Sequence, residues 1–215
     1  MELKGFLQRQ IKSVGEEKAD DVFKTIALEL MTKYAIKAKN IYSLIEIEFY
    51  LYKEGVHQDT AVYPRFSHAG DFFYHYSGID ISFETDIEIM TFGGILIRSL
   101  KNIDTGEIIA GPLRCKDELL NEGVLPQIIM HKVDVVKIDK TTRQGISKGG
   151  KENNEYRFYV PQDNDWKRTN IRCIKYVVEA KEKTAVISET QTLYYPSYPG
   201  KSQDLTKDKI NPNQQ

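Results

Sequence analysis

The sequence predicts an α+β fold: a curved, mostly antiparallel sheet with flanking helices. Three observations lead there. A single strong helical period stands near the N-terminus, several alternating β-rich runs follow it, and only short helical stretches separate those runs.

The elements follow in order. Residues 1–16 read as a lead segment. Ser13 and Glu16 have the spacing of a capping box. Val22, Ile26 and Leu30 form one stripe and Phe23, Ala27 and Met31 the next, so a core-facing helix is expected over 17–35. The run IYSLIEIEFYLY, 41–52, alternates like a strand. Ile41, Ile45, Ile47, Phe49 and Leu51 share one face; Tyr42, Leu44, Glu46, Glu48, Tyr50 and Tyr52 share the other. Same-face neighbours lie roughly 6.5–7 Å apart, so two carboxylates sit within a row of rings. Such a face is either the wet side of a half-buried strand or a site with one carboxylate as a general base.

A long loop rich in His, Asp, Pro and Gly occupies 53–70, and loops of that length in compact domains often carry function. FFYHYSGIDISFE, 72–84, reads as a strand broken or bulged at Gly78. In the next strand, 91–100, Arg98 shares a face with Leu96 and Leu100. An arginine so placed either snorkels to water or pairs with a buried anion. Gly111 and Pro112 precede a short helix near 114–122. Strands are expected at 128–139 and 155–160, with a basic, glycine-containing loop, 140–151, between them. The stretch 170–180 reads as strand or helix. The chain from about 196 onward has almost no apolar residues, and we read it as a disordered or surface-draped tail.

Composition narrows the function classes. A net charge of −1 gives no global basic field, so any polyanion would meet a local patch. Two cysteines, Cys115 and Cys173, suggest no disulfide framework, and no signal-peptide core stands at the N-terminus; a reducing, cytoplasmic setting is the expectation. No apolar run approaches the ~18 residues of a membrane helix. A metal site drawn from Glu46, Glu48, His57 and Asp59 has one histidine and loose spacing, so no metal and no cofactor are expected. Dinucleotide and phosphate-loop fingerprints are absent. No oligomerisation motif is present, and a monomer is expected.

Several motifs, in order, resemble the alkyladenine type of 3-methyladenine DNA glycosylase. Glu46-Ile47-Glu48-Phe49-Tyr50 resembles its E-x-E-A-Y strand, with His57 following; Pro64-Arg65 resembles its loop step; Gly70 to Gly78 resembles its G-x-x-Y-V-Y-x-x-Y-G strand, one residue shorter. Ile95 to Leu100 resembles V-L-L-R-A-L, Gly111-Pro112 its G-P-G helix start, and Arg143-Gln144-Gly145-Ile146 and Arg157-Phe158-Tyr159 its R-[IV]-G-[IV] and R-F-Y. The match spans roughly 23–168, within a glycosylase-like domain at 17–168 that a C-terminal extension, 169–215, follows.

The resemblance implies the glycosylase, formyltransferase C-terminal-like fold. It implies hydrolysis of the N-glycosidic bond of an alkylated purine flipped out of DNA. Glu48 would activate water, with Arg98 and the backbone carbonyl of Gln144 holding it. Tyr50, His57 and Tyr74 would wall the base and Glu84 would meet its edge. Arg65, Lys140, Arg143 and Lys148 would contact the phosphate backbone. The family's wedge tyrosine is replaced by Ser77, with Tyr76 one place earlier, and Leu113 stands for its second glycine. The nucleic-acid partner is therefore duplex DNA, a single strand or a nucleoside-like substrate. The alternative is a non-catalytic nucleic-acid or nucleobase binding module on the same fold.

Overall fold

The computed structural model describes residues 2–135, 137–143, 145–146 and 154–162. Gln144, Lys148 and the extension at 169–215 lie outside the described residues, as does the 170–180 stretch. The elements run α1 (Leu3–Ser13), α2 (Ala19–Lys33), β1 (Tyr34–Lys37), β2 (Ile41–Lys53), β3 (His57–Gln58), β4 (Phe72–His75), β5 (Gly78–Ser82), β6 (Thr91–Asn102), β7 (Ile108–Ala110), α3 (Pro112–Leu120), β8 (Gln127–Met130), β9 (Asp139–Thr141) and β10 (Arg157–Tyr159). The fold is α+β with a curved, antiparallel half-barrel sheet.

β2 is the spine. Along one edge it pairs with the whole of β6; along the other it pairs in turn with β1, β10 and β3. β5 and then β4 extend the sheet beyond β6, and β8 extends it beyond β1. The turn between β4 and β5 has two residues, Tyr76 and Ser77, because His75 pairs directly with Gly78. The break expected at Gly78 is thus a hairpin.

The alternation of β2 does not run through. Leu44 faces Leu100, Glu46 faces Ser99, and Ile47 faces Ile97. Ile45 on β2 and Arg98 on β6 are therefore each an extra residue, and the two bulges cancel in register. A bulge shifts the pleat by one residue. Tyr42 and Leu44 before it and Ile47, Phe49 and Leu51 after it all point into the core. The expected face that grouped Tyr42 and Leu44 with the two glutamates is corrected accordingly.

The core lies between this face and the helices. Phe23 of α2 stacks on Phe49 at 4.6 Å between ring centres, and Tyr156 meets Phe23 edge-on at 4.9 Å. Within residues 1–16, α1 packs against the sheet's core. Leu3, Phe6, Leu7 and Ile11 sit on one side of α1 and join the same core. Ser13 ends this helix, its hydroxyl donating to the Gln10 carbonyl, so it caps nothing at the start of α2. Lys53 Nζ then closes α1 by donating to the carbonyls of Ile11, Lys12 and Val14 at 3.3, 3.0 and 2.6 Å. The strand expected over 128–139 is divided into β8 and β9.

Candidate functional site

Opposed residues in an antiparallel pair point to the same side of the sheet. Glu48 faces Arg157 on β10 and Leu96 on β6; Leu96 faces Asp80 on β5; Asp80 faces Phe73 on β4. One row of side chains, with Glu48 central, thus crosses five strands on the face turned away from the core.

Glu48 has no solvent exposure. Its Oε2 lies 3.1 Å from Arg98 Nη1, and its Oε1 accepts a short hydrogen bond from the Tyr50 hydroxyl. Burial pushes its carboxyl above the usual carboxylate range, while Arg98, the Tyr50 hydroxyl, Arg157 and Arg143 pull it back. Burial, and then the Glu48 charge and hydrogen bond, push the Tyr50 phenol well above its ordinary value. Glu46, equally buried, accepts from Ser99 Oγ at 2.6 Å. Its other oxygen stands 3.6 Å from Arg98 Nε and 3.6 Å from Arg157 Nε. The bulge on β6 puts Arg98 where it meets both carboxylates.

Two further ion pairs flank this group, and both tie the 59–70 loop down. Arg143 Nη1 meets Asp59 Oδ2 at 2.5 Å, with both side chains wholly buried. Arg65 Nη1 meets Asp80 Oδ2 at 2.5 Å, and its guanidinium lies 4.2 Å from the Phe73 ring centre. Gly94 makes room for it: a Cβ there would stand 3.0 Å from Arg65 Nη1. His75 bridges Asp80 at 3.1 Å and the Ser77 hydroxyl at 3.0 Å. Burial would raise the Asp80 carboxyl, but the His75 contact and the Arg65 charge more than offset it and hold it below its ordinary value.

The structure thus brings Glu48, Arg98 and Tyr50 together, and places Tyr74, His57 and Glu84 elsewhere. Tyr74 faces Ile79, a core residue, so alternation puts it on the opposite side from Glu48; Phe73 and His75 occupy the Glu48 face instead. His57 is no wall. Its Nδ1 meets the Leu51 carbonyl at 2.8 Å and its Nε2 the Tyr156 hydroxyl at 3.1 Å, with Phe23 edge-on at 5.8 Å. Between the stretches paired with β10 and β3, the edge carbonyls of β2 need donors. His57 supplies one at Leu51, and Arg143 supplies one at Phe49 at 3.2 Å. Glu84 is a clasp: it accepts from Gln8 of α1 at 3.0 Å and from the Ala69 amide at 2.9 Å, and pairs with His68 at 2.8 Å.

Of the expected backbone-contacting residues, Arg65 and Arg143 are interior, each spent on a carboxylate that burial obliges to pair. Lys140 is at the surface, between Asp20 at 3.4 Å and Glu155 at 3.3 Å. Glu48 and Arg98, expected to hold a water between them, touch directly.

Sequence reasoning missed Asp80, Phe73 and a role for Arg157, and weighed Asp59 only as a metal ligand. The signal for two of these was present: Asp80 in Ile79-Asp80-Ile81 and Arg157 in Tyr156-Arg157-Phe158 are single charges between large apolar residues. Among the described residues no group of three or more His, Cys, Asp or Glu is placed to hold a metal ion, and no helix is long and apolar enough to cross a membrane.

No protein-family model matches the chain. It is similar to an uncharacterized protein of Acanthamoeba polyphaga mimivirus, 32% identical over 127 residues, which cover 48% of this chain and 58% of the viral protein. The chain spans little more than half the length of the curated relative it matches, and that similarity brings no activity, substrate or partner with it.

Proposed function

We propose that the chain is a base-excision glycosylase that hydrolyses the N-glycosidic bond of an alkylated purine, with Glu48 as the base that activates water. The observation that supports this reading is the buried Glu48–Arg98 contact, with Tyr50 on the second carboxylate oxygen. Breaking an N-glycosidic bond builds positive charge on the sugar. A carboxylate beside it stabilises that charge and takes the proton from water. Arg98 favours the ionised carboxylate against the effect of burial and orients it. The Tyr50 hydroxyl holds the position on Glu48 that the water needs, so catalysis requires Tyr50 to give way. Tyr76, 51% exposed at the tip of the β4–β5 turn, is the side chain offered to a duplex in place of the wedge that Ser77 cannot supply.

Single-turnover cleavage of alkylated and deaminated oligonucleotides, duplex and single-stranded, tests the proposal. Glu48→Gln is expected to slow release of the base at least ~10²-fold. Because the Glu48 carboxyl is raised, the wild-type rate is expected to climb with pH through a midpoint above 4.5, a limb that Glu48→Gln abolishes. Cleavage undiminished in that variant removes Glu48 from the mechanism.

A second reading is favoured by the complete closure of Glu48: a nucleic-acid or nucleobase binding module on the same fold that does not cut. Under it, oligonucleotides bind, no base is released at any pH, and Glu48→Gln leaves binding unchanged.

A further inference from the structure

Arg143 is a buried charged group beside Glu48 that the proposed chemistry leaves without work. It enters from the loop after β9 and fills the break along the β2 edge between the β10 and β3 pairings. One nitrogen meets both Asp59 and the Phe49 carbonyl. Nε and Nη2 find no hydrogen-bond acceptor among the described residues. Instead the guanidinium faces two rings, its central carbon 4.9 Å from the centre of Tyr50 and 5.5 Å from that of Tyr156. A planar, weakly hydrated cation suits such a place, and a lysine does not. The ring it covers is the one whose hydroxyl sits on Glu48.

We propose that Arg143 is a positioning residue: anchored by Asp59, it holds the Tyr50 ring so that the phenol hydroxyl stays on the Glu48 carboxylate. Asp59 belongs to the 59–70 loop and Arg143 to the segment after β9, so the pair ties the state of that loop to the exposure of Glu48. Lifting the loop withdraws Asp59, frees Arg143 and releases Tyr50. The inference deepens the role assigned to Glu48 and rests on it, but its test needs no substrate.

The test is an NMR titration of Glu48 in protein carrying 13C-labelled glutamate, with the resonance assigned through Glu48→Gln. The groups facing this carboxylate are Arg98 from β6, Arg157 from β10, Tyr50 and Glu46 from its own strand, and Arg143. Tyr50→Phe deletes the hydroxyl that stabilises the anion, so the Glu48 midpoint is expected to move up. Arg143→Lys keeps the positive charge and loses the planar stack. It is expected to move the midpoint up by a large part of the same amount, and to add nothing in the Tyr50→Phe background. A wild-type midpoint in Arg143→Lys overturns the proposal. So does an equal shift in both backgrounds, since the effect would then bypass Tyr50, and so does a Tyr50→Phe midpoint that does not move. If Arg143→Lys fails to fold, Asp59→Asn is read in the same way. Absence of base release with this titration pattern intact refutes the hydrolytic reading alone.

Discussion

A charge taken out of water costs several kcal/mol unless a partner and hydrogen bonds replace the solvent. Glu46, Glu48, Asp59 and Asp80 are all buried, and Arg65, Arg98, Arg143 and Arg157 are buried with them. Each acid meets at least one guanidinium. Removing one partner strands the other. Asp80→Asn leaves the Arg65 guanidinium without its counter-charge and should lower stability by about 3–5 kcal/mol at neutral pH, read from urea unfolding. The pH sign follows from the depressed Asp80 carboxyl. Its contribution is full above the ordinary value of 3.8 and is lost as pH falls through its lower folded value, so the gap between wild type and Asp80→Asn closes in acid. Glu48 has the opposite sign. Its carboxyl is raised, so its contribution is full below the ordinary value of 4.5 and is lost as pH rises through the folded value.

At the scale of elements, two features put the side chains in reach. The paired bulges at Ile45 and Arg98 turn Glu46 and Glu48 away from the core while Leu44 and Ile47 stay in it. Clean alternation in the sequence hid this, because a bulge leaves no mark when the inserted residue, Ile45, is itself apolar. The end of α1 is the second feature. Its last carbonyls have no partner within the helix, and Lys53 from the far end of β2 supplies three donors from one ammonium. Lys53→Met keeps the aliphatic stem and loses those bonds; thermal unfolding should show a loss of about 1–2 kcal/mol. Nothing local in the sequence links Lys53 to the carbonyls of Ile11, Lys12 and Val14, since only the tertiary fold brings them together.

At the scale of the fold, α1 and α2 close the core of the described residues on one face of the sheet, and the 59–70 loop covers part of the other. Leu3, Phe6, Leu7 and Ile11 are each at most 9% exposed, and burial of each such side chain is worth ~1.5–3 kcal/mol. That sum is comparable with the ~5–15 kcal/mol net stability of an ordinary domain. Deleting residues 1–15 should therefore abolish cooperative unfolding, followed by circular dichroism during heating.

Much of this was legible in the chain. The helical stripes of α2, the strand character of β2 and β6, the Pro-led helix α3 and the isolated arginine at 98 follow from side-chain periods of 3.6 and 2 and from the cost of an unpaired buried charge. Those are local rules, and twelve or so neighbouring residues suffice to apply them. That Arg98 would meet Glu46 as well as Glu48, that Arg65 and Arg143 would be interior, that His57 would mend a sheet edge and that Tyr74 would point away from Glu48 all depend on register between strands far apart in sequence. A one-residue slip in that register turns a side chain to the other face of the sheet, and no short stretch of residues carries the information to set it.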